Sequence, residues 1–307
     1  MPAKIGIIGT GWVGSSIALS LLHTGVASEV ILHDAKQPIA EGEAMDLVHG
    51  SWFYPAALVR TGTVEEMRDC DVVVVTAGVG GGPGQSRLEL VKTNARIVAD
   101  IGRQLHGGRG ILVVVTNPVD IMTLVLARVS GLPAPRVIGT GTMLDTARLR
   151  QVLGRELRLD PRSIHGQIVG EHGDSEVVLW SGAQVGGRPL RGWPGWSVAR
   201  EAQVATEVRT AAYEIIRRKG ATNHAIGLVT AALIKGIVRG ERRVLTVSRV
   251  QEGALGLRGV ALSLPAIVSS AGAEEVLEPG MDATELEGLR HSADVLRQAA
   301  EPLELTP

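Results

Sequence analysis

Lys4-Ile5-Gly6-Ile7-Ile8-Gly9-Thr10-Gly11-Trp12-Val13-Gly14 decides the fold of this chain. Its first five residues have the pattern of a buried strand. The next six are G-x-G-x-x-G, and a helical run from Ser15 to Thr24 follows. The glycine fingerprint carries meaning only in this context, strand before and helix after. Gly9 makes the tight turn, Gly11 lets a pyrophosphate approach the backbone, and Gly14 lets helix and strand pack closely. The helix N-terminus adds free N–H groups and a positive dipole end. A second strand, Glu29 to His33, ends at Asp34, where a ribose-binding carboxylate belongs. An acid there accepts hydrogen bonds from the ribose 2′-OH and repels a 2′-phosphate. No arginine follows closely, so NAD is favoured over NADP. The alternative is a structural glycine turn in a nucleotide-free α/β protein.

Further along, Val72-Val73-Val74-Val75 is continuously apolar, as a parallel sheet buried on both faces requires. It ends at Thr76-Ala77-Gly78, where backbone meets the cofactor. The next segment, Val79 to Arg87, has four glycines in its first six residues and cannot pack a core. Arg87 closes it, beside a helix expected from Leu88 to His106 with an apolar stripe at Leu90, Ile97, Ile101 and Leu105. Arg87 is either a solvated first-turn residue or a cation carried by a closing lid. Ile111 to Val115 is another strand and ends at Thr116-Asn117-Pro118. Asn117 thus stands at a strand C-terminal end, where open parallel sheets bind ligands. Val137-Ile138-Gly139-Thr140 closes the nucleotide-binding part. Alternating strands and helices predict an α/β fold: a Rossmann-type doubly wound parallel sheet over residues 1–142, then an α+β substrate domain over 143–307.

The second part centres on Gly170-Glu171-His172-Gly173-Asp174, between the strand-like runs Ile164–Val169 and Val177–Trp180. A histidine between glycines has little bulk around it and is open to a small ligand. Upstream, Leu144 to Arg150 reads as the first turns of a helix. Asp145 and Arg148 are three apart, so they share a face. Carboxylate, guanidinium and imidazole are the parts needed for proton transfer beside a bound carboxylate. A Gly/Pro/Trp-rich loop (186–196) precedes a long helix with Val204, Val208, Ala211 and Ile215 on one face. Thr222 is expected at the start of the next helix, as a pocket residue or simply an N-cap. Short strands near Val244–Val247 and Gly259–Ser263 and a terminal helix complete the chain.

Composition narrows the function. The net charge of −1 gives no electrostatic reason to expect nucleic acid or an anionic membrane. One cysteine, Cys70, excludes an internal disulfide framework and a thiolate metal cluster. The longest apolar region, Ile111 to Val129, is interrupted by Thr116-Asn117-Pro118 and Asp120, which a spanning helix would not hold at its centre. A strand beginning near residue 5 leaves no room for a secretory leader, so a cytoplasmic location is expected.

These residues together resemble the L-lactate/malate dehydrogenase family over essentially the whole chain. The matches are Gly9 to Gly14 with Asp34, Pro83 to Leu88, Thr116 to Asp120, Gly139 to Arg148, Gly170 to Asp174, and Lys219 to Thr222. The resemblance implies that His172 is the general acid/base and that Asp145 holds its imidazole and favours the charged form. It implies that Arg148 grips the substrate carboxylate with its fork. Arg87 would descend with the glycine-rich loop to polarise the carbonyl, a role whose loss typically costs ~10²–10³ in rate. Asn117 would orient the reacting oxygen, and Thr222 would line the pocket. Val13, Gly78, Thr116 and Thr140 would join the glycine turn and Asp34 around NAD.

One departure matters. The residue six before the loop arginine, which reads the substrate's third-carbon group, is usually glutamine in lactate enzymes and arginine in malate enzymes. Here it is Gly81. Without a charge partner, burying a second carboxylate is costly. The expected substrate is therefore pyruvate/L-lactate, with room for larger 2-oxo acids. Arg150 and His165 occupy the positions where relatives controlled by fructose 1,6-bisphosphate hold that effector between subunits, which implies an anion site in a homotetramer. A catalytically silent dinucleotide-binding protein and an NAD-dependent glycosidase of related fold are the alternatives. The glycosidase would need metal ligands, typically a cysteine near the sugar, and Cys70 precedes a buried strand on its far side.

Overall fold

The computed structural model describes residues 3–80 and 87–303. The chain opens with β1 (Ala3–Ile8), α1 (Trp12–Thr24), β2 (Ala27–His33), α2 (Gln37–His49), β3 (Leu58–Thr61) and β4 (Val72–Val75). It continues with α3 (Arg87–Gln104), β5 (Ile111–Val114), α4 (Val119–Ser130) and β6 (Val137–Gly139). These six strands are parallel and lie in the order β6-β5-β4-β1-β2-β3. The order reverses between β1 and β4, which is the switch point of a doubly wound sheet and the place where its crevice opens.

The valine run shows why this sheet forms. Val72 and Val74 enter one core with Ile5, Ile7, Val30 and Leu32. Val73 and Val75 enter the other with Ile8, Leu112 and Val114. Alternate residues of a strand point to opposite faces, so a strand covered on both sides must be apolar throughout. Each such valine, fully buried, stabilises the fold by roughly 1.5–3 kcal/mol relative to exposure.

After β6 come α5 (Met143–Leu157), β7 (Ile164–His165), β8 (Ile168–Val169), β9 (Val177–Val178), β10 (Gln184–Val185) and β11 (Arg188–Pro189). The expected single strand over Ile164–Val169 is therefore two. β7 pairs with β10, while β8 pairs with β9 in a separate hairpin. Gly166-Gln167 is the break that sends the two halves to different partners. A third core, including Leu149, Leu153, Ile168 and Val208, joins α5 to α6 (Val198–Lys219). On α6 Val204 and Val208 are buried, whereas Ala211 and Ile215 are half-buried.

The last elements are α7 (His224–Arg239), β12 (Arg243–Glu252), β13 (Arg258–Ser269), β14 (Gly272–Val276) and α8 (Ala283–Ala300). The two short strands expected here are the first halves of long ones. β12 pairs antiparallel with β6 through Ser248 and Gly139, so among the described residues one sheet contains nine strands. Polar residues hid this length. Arg249 and Gln251 are buried, but their side chains donate to the carbonyls of Ala273 and Leu262, so the strand continues through them. α8 starts with a reciprocal capping box, Asp282 with Glu285. Elements α2 and β3 lacked a clear periodic signal and were not expected.

Candidate active site

The cofactor half of the site is the glycine turn after β1. Gly9 has φ +98°, and an added Cβ would lie 2.6 Å from the Ala77 nitrogen. A Cβ on Gly14 would lie 1.9 Å from the Gly9 carbonyl oxygen. That contact explains why α1 can begin at Trp12, three residues earlier than the helical run suggested. Around Gly11 nothing lies within 4 Å of the Cβ position, which leaves the backbone open to a phosphate. Thr76 at the end of β4 donates to the Gly9 carbonyl at 2.6 Å and holds the turn. Asp34 accepts the backbone N–H groups of Thr10 and Lys36, each at 2.9 Å. Its carboxylate therefore braces the turn and still has lone pairs for a ribose diol. A cavity of about 690 Å³ opens over these groups, with Val13, Gly78, Ile97 and Ile101 in its wall. The shape and donor set fit a dinucleotide. Of the core stripe expected on α3, Ile101 is buried in the core and Ile97 half-buried against it, and both also reach this wall; Val91, Ala95 and Val98 complete the buried apolar face of that helix.

Thr116 and Asn117 stand at the end of β5. Thr116 is buried and donates to the Ala77 carbonyl at 2.8 Å, while Asn117 is exposed and precedes a cis peptide bond to Pro118. Thr140 is buried after β6, its N–H donating to the Val114 carbonyl at 3.0 Å. Asn94 on α3 was not expected in the site. Its amide accepts from the Val79 N–H at 2.8 Å and donates to the Asn117 carbonyl at 2.9 Å. It thereby ties together the segments after β4 and β5. The signal was available, because an asparagine on the apolar face of a helix needs partners.

The candidate catalytic half is built by α5 and the β8–β9 turn. Gly170 exchanges two backbone hydrogen bonds with Ser263 of β13, both 2.9 Å, so the turn is fastened to the main sheet. The next residue, Glu171, donates its N–H to Ser292 of α8 at 2.6 Å. His172 donates its N–H to the Asp120 carboxylate of α4 at 2.7 Å. Its ring Nδ1–H donates to Oδ2 of Asp145 at 2.5 Å, and Arg148 donates to Oδ1 of the same carboxylate at 2.8 Å. The helix spacing foreseen from sequence thus places one acid between an imidazole and a guanidinium. Asp145 is 3% exposed, Arg148 14% and His172 25%, so the carboxylate is covered while the other two reach outward.

Electrostatics follow from this arrangement. Burial alone would lower the His172 pKa, but the charge of Asp145 and the hydrogen bond to it, helped by Asp120, raise it to about 9. For Asp145 burial would raise the pKa, yet His172 and then Arg148 outweigh it and hold the carboxyl below its ordinary value. The carboxylate is an acceptor only, so Nδ1 carries the donated proton and Nε2 is the nitrogen left to exchange one with a ligand. Burial pushes Asp120 up to about 6, and its Oδ1 has no partner among the described residues. Asp120 was visible in the sequence as an acid interrupting an apolar run and as the end of the Thr116–Asp120 match, with no role assigned to it.

Other expected residues fall as follows. Thr222 is half-buried and precedes α7 by two residues; Asn223, not Thr222, occupies the N-cap, so the capping alternative is set aside. Asn223 donates to Ser16 of α1 at 2.8 Å, linking the segment that bears Thr222 to the cofactor helix. Arg150 turns away from Arg148, as its place on the helix demands, and donates to the Gly166 carbonyl at 3.1 Å. Gly166 follows His165 in the chain, and His165 is exposed. Gly81 and the side chain of Arg87 lie outside the described residues. Cys70 is buried at the opposite end of β4 from Gly78, with its thiol pushed up to about 12 by burial.

Residues 3–139 match the sequence model of the lactate/malate dehydrogenase NAD binding domain, and residues 142–304 match that of the lactate/malate dehydrogenase alpha/beta C-terminal domain. The chain is 44% identical over 307 residues to L-lactate dehydrogenase 2 of Lactococcus lactis subsp. lactis, covering 98% of each. It is 43% identical over 307 residues to L-lactate dehydrogenase of Thermus aquaticus, covering 98% of this chain and 99% of the relative. Among solved structures, the minor L-lactate dehydrogenase of Enterococcus mundtii in a ligand-bound form superposes with a TM-score of 0.96, at 42% identity and 99% coverage of both chains. With family domains spanning both halves and full-length relatives at this identity, the chain belongs to the lactate/malate dehydrogenase family.

Proposed function

We propose that this protein is an NAD-dependent L-2-hydroxyacid dehydrogenase that interconverts pyruvate and L-lactate. The observation that carries the reading is the shared carboxylate of Asp145, which holds His172 and Arg148 side by side. Bound NADH supplies a hydride to the substrate's carbonyl carbon. The protein does the rest. Arg148 takes the substrate carboxylate in its fork and fixes the carbonyl relative to His172. His172 is largely protonated at neutral pH and gives its Nε2 proton to the carbonyl oxygen. The negative charge of Asp145 stabilises the imidazolium until that transfer. In the opposite direction neutral His172 accepts the hydroxyl proton. Asn117 orients the reacting oxygen, Thr222 lines the pocket, and Arg87 polarises the carbonyl.

The division of labour follows the chain in the main, with NAD held by residues 1–142 and proton transfer and carboxylate binding in 143–307, while Arg87 and Asn117 act on the substrate from the first part. Gly81 offers no charge to a second carboxylate, which disfavours oxaloacetate. The family names of the relatives agree with lactate as product. Among the described residues no helix is long and apolar enough to cross a membrane, in keeping with a cytoplasmic enzyme. A groove walled partly by Leu19, Phe53 and Leu228, with Phe53 81% exposed, supports a homo-oligomer, which we take to be a tetramer. The hydrogen bond of Arg150 to Gly166, the residue after the exposed His165, supports an anion site for fructose 1,6-bisphosphate at a subunit interface.

The test is a panel of 2-oxo acids with NADH, compared by kcat/KM. Pyruvate or a longer apolar homologue should exceed oxaloacetate by at least about tenfold, since a missing ion pair in a closed site is worth about 1.4 kcal/mol or more. Oxaloacetate as the best substrate would overturn the pyruvate assignment.

A further inference from the structure

The turn that carries His172 ends in a second acid the mechanism does not use. Glu176 immediately precedes β9, and its N–H donates to the Gly173 carbonyl at 3.2 Å. The residue is only 6% exposed. Its Oε1 is buried with no hydrogen-bond partner among the described residues. The charged groups that act on it come from three elements: Asp145 and Arg148 of α5, His172 of its own turn, and Arg209 of α6. The Nε of Arg209 is also buried without a partner among the described residues. A carboxylate with an unsatisfied oxygen is costly to bury, whereas the neutral acid costs much less. Burial, reinforced by the negative charge of Asp145 and opposed by Arg209, pushes Glu176 up to about 8.

Resting on the dehydrogenase reading above, we infer that Glu176 is a positioning residue that binds a proton together with the substrate: arrival of the 2-oxo acid's carboxylate at Arg148 favours the neutral form of Glu176, and its ionisation weakens substrate binding. The proton comes from solvent, forms the O–H of the Glu176 carboxyl, and returns to solvent when the acid leaves. Glu176 does not touch the reacting atoms. It acts on the field that Arg148 and His172 present to an anion. The sign follows from linkage. A group whose proton is bound more tightly in the complex must, when it loses that proton, loosen the complex by the same factor. The size follows from charge separation. A unit charge several ångströms from the substrate carboxylate, in a partly screened site, changes affinity by roughly three- to tenfold.

The experiment is the KM for pyruvate at saturating NADH from pH 6 to 9.5, for the wild type and Glu176→Gln. The wild-type KM should begin to climb near pH 8, by roughly three- to tenfold before His172 itself deprotonates near pH 9. In Glu176→Gln that first rise should be missing and only the later one remain. The kcat profiles of the two should run parallel, because the proton is taken up at binding. Coincident or parallel KM curves would overturn the inference and would fit a Glu176 permanently ionised beside Arg209. If the variant does not fold, proton uptake by the wild-type NADH complex on adding oxamate, an unreactive 2-oxo acid analogue, decides instead. At pH 8.5 a lone group of pKa about 9 can take up at most about 0.25 proton per site. Uptake clearly above that supports Glu176, and uptake at or below it rules Glu176 out. Wild type that never reduces pyruvate would sink the dehydrogenase reading as well, whereas turnover with parallel curves sinks this inference alone.

Discussion

Asp145→Asn is the substitution that tests the core of the site, because its effect should depend steeply on pH. The wild-type carboxylate raises His172 from its ordinary value of 6.5 to about 9 against the opposing effect of burial. That difference of about 2.5 units corresponds to about 3.4 kcal/mol of preference for the imidazolium. An asparagine removes the charge and leaves the burial, so the His172 pKa should fall to 6.5 or below. Arg148 will keep the amide oxygen, which turns the NH₂ group towards Nδ1 and further favours a neutral ring. At pH 7.5 the protonated fraction then drops from about 0.97 to about 0.09 or less, a loss of at least tenfold in kcat/KM for pyruvate. At pH 8.5 it drops from about 0.76 to about 0.01, a loss of nearly a hundredfold. At pH 5.5 the wild type is protonated and the variant is at most about nine-tenths so, and the penalty is at its smallest there. The assay is initial-rate reduction of pyruvate across this range. A penalty equal at pH 5.5 and pH 8.5 would refute the argument, since it would mean that Asp145 only orients the ring and does not hold its proton.

Two further substitutions probe the cofactor half. Gly14→Ala places a Cβ 1.9 Å from the Gly9 carbonyl oxygen, so the glycine turn must shift; the Kd for NADH, read by fluorescence, should rise at least about tenfold, or about 1.4 kcal/mol, and an unchanged Kd would show that the turn does not hold the phosphates. Asp34→Ala removes both the ribose acceptor and the brace on the Thr10 and Lys36 N–H groups. It should raise the KM for NADH more than that for NADPH, so a constant ratio of the two would count against Asp34 as the residue that excludes a 2′-phosphate.

The nucleotide-binding half was legible because its signals are local. Val72–Val75 can satisfy a two-sided burial only as a central strand, and Gly9 to Gly14 permits one backbone path. What escaped notice depended on partners far along the chain. Arg249 and Gln251 read as polar ends to a strand, yet their side chains donate to the carbonyls of Ala273 on β14 and Leu262 on β13, and β12 runs on. Ile164 to Val169 read as one strand because periodicity cannot show that Ile164 and Ile168 pair with different elements. α2 was missed because only Ala40 and Ala44 of its thirteen residues are buried, which leaves too faint a stripe to read.

The site divides along the same line. Asp145 and Arg148 share a helix face whatever surrounds them, so their spacing was informative before any fold was known. Whether His172 joins them depends on contacts from α4, β13 and α8, through Asp120, Ser263 and Ser292, none of which is near it in sequence. Asp120 and Glu176 carry the least local information of all. An acid in an apolar run or before a strand is ordinary at the surface, and it acquires a raised pKa only when the fold closes over it. Both are acids buried beside the ion pair of Asp145 and His172, within the field of that pair. The titration of the site is thus a joint property of Asp120, Asp145, His172 and Glu176 beside the guanidinium of Arg148, brought together from three separate stretches of chain. Asp145 and Arg148 could be paired from helix spacing, His172 was suggested by the glycines beside it and given its role by resemblance, Asp120 fell within a matched stretch with no role assigned, and Glu176 emerged only from the folded structure.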